Sequence, residues 1–238
     1  MTKSVACANR IAAVLDLPTG MPKGESVPAP VPGAPAVSFR DVSLSYRGAS
    51  AAALDGVTFD AKPGETIGVI GGTGSGKSSL VGLILRAYDV SAGSVSLDGN
   101  DVRDYPLAAL RERVGLVPQK AELFHGSIRE NLLFGCRTAD DERLQEALSA
   151  AQAADFVAEK PGGLDVVVEA GGRNLSGGQR QRLTIARALV RRPDDLLRDD
   201  SASALDFATD AALRRALREL PYHPTVFVVS QRTSSLAH

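Results

Sequence analysis

At 238 residues the chain is long enough to bury a substantial core, as one large domain or two small ones. Its 27 basic and 28 acidic side chains nearly cancel, which removes the electrostatic case for nucleic acid as a partner. Cys7 and Cys136 are too few and too far apart for a disulfide framework or a metal knuckle, and they fit a reducing compartment.

In chain order, the spacing of apolar residues predicts a short helix over 4–16, followed by a Pro-rich linker, "VPAPVPGAPA", at 27–36. "VSFRDVSLSY" and "LDGVTF" read as strands, and "ETIGVI" as a buried strand running into a glycine-rich turn. A helix is expected over 77–88, then a hairpin strand "SVSLDG" and a buried strand "VGLVPQ". From about 126 to 160 the signals are helical, in "SIRENLLFG" and then "DDERLQEALSAAQAADFVAEK". "GQRQRLTIARALVRR" is a further helix, "LL" before Asp199 a strand, 207–220 a helix and "TVFVVS" a closing strand. Strands alternating with helices predict a mostly parallel α/β sheet with a helical insertion. No apolar run approaches the roughly 18 residues of a spanning helix, and no secretory leader is evident, so a soluble intracellular polypeptide is expected.

The sharpest chemical signal is "GGTGSGKS" at 71–78, which matches G-x-x-x-x-G-K-[ST] between a strand and a helix. Gly71, Gly72, Gly74 and Gly76, with Thr73 and Ser75 between them, let backbone N–H groups curl around phosphate oxygens. Lys77 brings a positive charge to the β- and γ-phosphates, Ser78 can ligate Mg²⁺, and the helix start carrying Ser78 and Ser79 favours an anion. An ordinary glycine-rich turn would not need that lysine, that hydroxyl or that context.

About a hundred residues later, "NLSGGQRQRLTIARAL" places a serine and two glycines at another helix start. Alone, "SGG" would be a helix cap. With the phosphate loop it resembles the signature of ATP-binding cassette (ABC) proteins, in Ser176, Gly177, Gly178 and Gln179. The resemblance runs from Val37 to the last residue. It implies a P-loop NTPase (RecA-like) core, an antiparallel β subdomain and a helical, signature-bearing insertion at about 120–178. By the same resemblance, Tyr46 is the aromatic that stacks on adenine, with a strand-end tyrosine as the plainer alternative. Gln119 in "LVPQ" senses Mg²⁺ and the γ-phosphate, and Asp206 in "SALD" belongs to the D-loop, though it could equally be a helix N-cap. "ELFHGSIRENLLFG" is close to the exporter-type segment that receives coupling helices of a membrane domain; His125 within it reads as surface polar. Residues 1–36 then resemble the junction and linker from a transmembrane domain absent here, and 37–238 a cassette that stops short of the usual C-terminus.

In this family two cassettes pair head to tail, each ATP lying between the Walker motifs of one and the signature of the other. Asp199 matches the Walker B aspartate that holds Mg²⁺. The next position normally carries a glutamate; here it is Asp200, shorter by one methylene, or roughly 1.5 Å. Misplacing a catalytic group by about 1 Å costs on the order of 10²-fold. Gln231 stands where the family has its switch histidine, and glutamine cannot take up a proton near neutral pH. Neither His223 nor His238 replaces it. The implied function is an ATP- and Mg²⁺-binding exporter subunit on the cytoplasmic side of a membrane, weakly hydrolytic at its own site, its signature completing the site of a different half-transporter. A fully active homodimeric ATPase, or a nucleic-acid clamp of the same superfamily, are the rival readings.

Two positions on the Walker B strand depart further. Asp195 and Arg198 interrupt a run that should be apolar, and alternation puts them on opposite faces, so they cannot readily pair with each other. Either partners are found at the strand ends, or the strand is locally unstable, or the residues were altered on purpose. Ala170 stands where exporters carry the X-loop glutamate, with Glu169 one place early.

Overall fold

Two four-stranded sheets frame the described residues, 3–16, 21, 24–199 and 205–231 of a computed structural model. An exposed helix, α1 (Lys3–Leu15), stands where the first helix was expected. Residues 24–36 have no regular structure, as their prolines dictate. They are nonetheless tied down: Val31 N–H donates to Asp98 O at 2.9 Å, and Asn100 Nδ2 to Ala29 O at 2.8 Å.

β1 (Val37–Leu44), β2 (Leu54–Ala61), β4 (Ala92–Leu97) and β5 (Asn100–Asp101) form an antiparallel sheet in the order β2-β1-β4-β5. β3 (Thr66–Ile70), β6 (Val114–Val117), β9 (Asp195–Asp199) and β10 (Thr225–Ser230) form a parallel sheet in the order β3-β10-β9-β6. Period-two alternation sorts the parallel sheet's apolar residues onto two cores. Leu197, Phe227 and Val229 join the core made with the antiparallel sheet and α2 (Lys77–Ile84). Leu196, Val226 and Val228 join the core that includes α4 (Ile128–Leu133), α5 (Asp141–Ala150), α6 (Ala154–Ala158), α7 (Gly177–Leu189) and α8 (Phe207–Glu219). A short α3 (Leu107–Arg113) leads into β6, and a two-stranded ribbon, β7 (Gly126–Ser127) with β8 (Val167–Val168), flanks the helices.

Three expectations need correction. The helix expected over 77–88 ends at Ile84, because Arg86 adopts φ 46° and cannot continue it. The buried Arg86 guanidinium is held there by Asp89 Oδ1 at 2.8 Å and Arg103 O at 3.2 Å. The two helical segments expected over about 126–160 are shorter and become three: Gly126 and Ser127 are strand, Ser127 caps α4 in a capping box with Glu130, and Gln152 (φ 58°) splits the second segment into α5 and α6. On β9, Arg198 finds its ion-pair partner in a helix lying over the sheet, Asp210 of α8, rather than at a strand end. Alternation assigned the faces correctly, but it does not reveal which helix covers a face. Among the described residues no helix is long and apolar enough to cross a membrane.

Candidate functional site

The four parallel strands all point their carboxyl ends the same way, and in such sheets ligands bind there. β3 runs into the glycine loop, and Ser230 at the end of β10 sits beside Ile70 of β3. Val229 pairs with Asp199, and Val117, two residues before Gln119, pairs with Arg198. Lys77, Asp199, Gln231 and Gln119 therefore lie on or just beyond one edge, from strands separated by up to about 160 residues of sequence.

The loop at 71–78 is built for close approach to a ligand. Gly76 caps α2 in the left-handed region (φ 85°) with no side-chain cap bond. A Cβ there would meet Ala53 O at 2.3 Å, so only glycine fits. Cβ atoms on Gly72 or Gly74 would meet nothing within 4 Å, so the loop borders open space. Lys77 Nζ folds back onto the loop, donating to Gly71 O at 2.8 Å, Gly72 O at 2.6 Å and Ser75 Oγ at 3.3 Å. Ser78 is exposed at the helix start. An uncapped helix start, glycines and a lysine fit an anion of the size of a polyphosphate.

Three contacts around the loop have no sequence signature. Tyr46 Oη and Ser79 Oγ share a hydrogen bond at 2.9 Å, and Tyr46 meets Tyr88 edge to face with centroids 5.1 Å apart. The resemblance gives Tyr46 a role without revealing what orients it. Thr73 Oγ1 donates to Gln231 Oε1 at 3.4 Å, a long bond that brings the end of β10 against the loop. Asp200 and residues 201–204 lie outside the described residues. Asp206 caps α8: Oδ1 accepts from Thr209 N at 2.9 Å and Oδ2 from Thr209 Oγ1 at 2.8 Å. The plainer reading of that aspartate is thus realised.

The second anion-type helix start is closed on itself. Ser176 Oγ accepts from Gln179 N at 3.2 Å while Gln179 Oε1 accepts from Ser176 N at 3.1 Å. The turn before it is braced by Asn174, which accepts from Glu169 N and donates to Val167 O, and by Arg180 Nη1, which donates to Leu175 O at 2.6 Å. A cavity of about 430 Å³ lies between this start and the segment after β6, lined by Gln119, Gly177 and Gln181 among others.

At the opposite end of β9, Asp195 is buried to 3 % exposure with Oδ1 lacking a hydrogen-bond partner. Burial, then the carboxylates of Asp98 and Asp194, push its carboxyl up to about 7, against the opposing pull of Arg113 and Thr225. Arg113 itself bridges Asp98 and Asp194, the latter at 2.7 Å.

On the helical side, Phe124 and Phe134 pack at 4.8 Å between centroids while staying more than half exposed. Beside them is a cavity of about 390 Å³ lined by Leu85, Leu116, Phe134, Arg111, Arg187 and Arg191, with others. Arg187 lies 5.6 Å from the Phe124 ring centroid, and its buried Nη1 has no hydrogen-bond partner.

Comparison with known proteins agrees with this geometry. A family model described as ABC transporter matches residues 54–203. An uncharacterized ABC transporter ATP-binding protein of Mycobacterium tuberculosis is 42 % identical over 241 residues, covering all of this chain and 41 % of that protein. A β-(1→2)glucan export ATP-binding/permease protein of Rhodopseudomonas palustris is 46 % identical over 202 residues, 85 % of this chain and 33 % of its own. An ATP-dependent lipid A-core flippase of Xanthomonas oryzae pv. oryzae is 42 % identical over 237 residues, 99 % of this chain and 40 % of its own. The chain thus spans about two fifths or less of the length of these relatives. A solved bacterial Atm1-family ABC exporter with ATP bound superposes with a TM-score of 0.88 at 32 % identity, over 98 % of this chain and 41 % of that one. The chain belongs to the ABC transporter family, as an ATP-binding domain whose relatives include exporters.

Proposed function

We propose that this chain is the ATP-binding cassette of a membrane exporter, that ATP·Mg²⁺ binds at the start of α2, and that its own site hydrolyses poorly while its signature completes the site of a partner cassette. The observation carrying this reading is the uncapped, glycine-built start of α2 with Lys77 lying on the loop's own carbonyls. On binding, the ammonium exchanges those carbonyls for phosphate oxygens, and the free N–H groups of the helix start take the rest. Tyr46, held through Ser79, offers its ring to the adenine. Ser78, Asp199 and Gln119 are the residues that would hold Mg²⁺, an ion that neutralises charge developing on the transferred phosphoryl group. Gln231, already bonded to Thr73, can donate its amide to a phosphate oxygen, but it has no proton to take up or relay near pH 7. Asp200 lacks the reach of a glutamate.

The signature start holds the N–H groups of Ser176 and Gln179 in its own capping box in the isolated chain, which suits a surface completed from outside. The groove beside Phe124, Phe134 and Arg187 suits the coupling helices of a membrane domain, with the cassette on the cytoplasmic side. The test is a reconstituted pair with a half-transporter that carries a Walker B glutamate. Ser176→Arg in this chain should remove most turnover and leave this chain's ATP binding intact; surviving turnover would reject the shared site. With the partner's glutamate disabled, Asp200→Glu combined with Gln231→His should raise hydrolysis at this chain's own site beyond the product of the single changes. No gain would place the defect elsewhere.

A further inference from the structure

Arg198 immediately precedes Asp199, yet its side chain leaves the nucleotide side of the sheet. It points between the sheet and α8, where it is 1 % exposed. There Nη2 donates to Asp210 Oδ1 at 3.0 Å, and Asp210 Oδ2 accepts from Arg214 Nε at 2.8 Å and from Arg214 Nη2. Asp210 N–H in turn donates to Asp206 O at 3.0 Å, one turn back at the helix start. A continuous series of directional bonds therefore joins the residue beside Asp199 to the N-cap of α8, across the two sides of segment 200–204.

We infer that Arg198 is a positioning residue for the metal-holding end of β9: its bond to Asp210 fixes the strand's end, and with it Asp199, against α8. The inference rests on the assignment of Asp199 to Mg²⁺ above. A buried ion pair is a poor source of stability, since apolar residues of similar volume commonly do as well or better. What an ion pair adds is geometry. A leucine at 198 would pack on α8 in several registers, whereas a guanidinium facing a carboxylate already held by Arg214 has one. β9 is a central strand, flanked by β10 and β6, so rotation or sliding of its end is resisted sideways by the ladders and, on the α8 face, by this bond.

The discriminating experiment titrates ATP into the full chain by calorimetry, with Mg²⁺ and with EDTA, and reads the ratio of the two affinities. For Arg198→Met combined with Asp210→Leu, we expect a lowered melting temperature, because Arg214 loses its carboxylate, and unchanged ATP affinity in EDTA. The Mg²⁺-dependent gain should shrink roughly 5- to 10-fold. Arg198→Lys, which keeps the charge but loses the planar fork, should shrink the gain by roughly 3-fold, and it carries the test if the double variant does not fold. A parental gain in the folded double variant, or in Arg198→Lys, overturns the inference and leaves the ATP site standing. A parent that binds ATP equally well with and without Mg²⁺ instead overturns the metal assignment, and this inference with it.

Discussion

Two helix starts in this chain are rich in glycine and serine, and they solve the same problem in opposite ways. The first N–H groups of any helix have no partner within it. At α2 they are left open, with Gly76 offering no side-chain acceptor and Lys77 parked on the loop carbonyls. At α7 two donors, the N–H groups of Ser176 and Gln179, are closed by the reciprocal side-chain bonds of those two residues. An open start is ready for a ligand, whereas a closed one must be offered a better acceptor before it opens. The chain alone should therefore bind nucleotide at α2 and leave α7 for a surface that another cassette brings.

The largest effect is expected from Lys77→Ala, which removes the one cation on the open start. ATP affinity should fall by at least roughly 10³-fold, about 4 kcal/mol, while the melting temperature stays within a few degrees. Calorimetry and a thermal melt check both; retained affinity would break the comparison at once.

Next comes a change remote from both starts, which asks whether they share one frame. The Asp195 carboxyl titrates near 7 in the folded chain against about 4 when unfolded. Its folded value is raised, so stability is full below about pH 4 and declines as pH climbs through 7, by about 4 kcal/mol in all. Asp195→Asn should remove that decline, so the variant gains on its parent as pH rises and matches it near pH 4, as read by denaturant melts across pH. Which start answers ATP should not change. An unaltered pH slope in the variant would assign the titration to another group.

The comparison also marks where sequence reading reaches its limit. The open start was legible because glycine spacing and a following lysine are chemical requirements of a phosphate loop, and little else satisfies them. The strand and helix types around it were legible from periodicity. Yet Arg86 ends α2 a turn early through a left-handed backbone and a buried guanidinium, neither of which periodicity encodes. Asp210 as the partner of Arg198 was invisible for a different reason. Alternation assigns faces, and only the packing of α8 decides which carboxylate sits over one of them. Tyr46 on Ser79 and Thr73 on Gln231 likewise join residues 33 and 158 positions apart.

A smaller effect should follow from Tyr46→Ala, which sharpens the comparison on the open side. Loss of ring stacking and of the Ser79 bond should weaken ATP binding roughly 5- to 10-fold, or about 1 kcal/mol, in the same titration. Tyr46→Phe should keep most of the affinity, because it keeps the ring. The smallest effect belongs to the closed side. Ser176→Ala removes a cap worth about 1 kcal/mol and should lower the melting temperature by roughly 2–4 °C without touching ATP affinity. A change in affinity there would mean that the isolated chain uses both starts.

Amide hydrogen exchange on the isolated chain, with and without ATP·Mg²⁺, tests the contrast most directly. Nucleotide should slow exchange across residues 72–78 at the start of α2 and leave residues 177–179 at the start of α7 as they were. Protection at 177–179 without a partner cassette, or its absence at 72–78, would contradict the account.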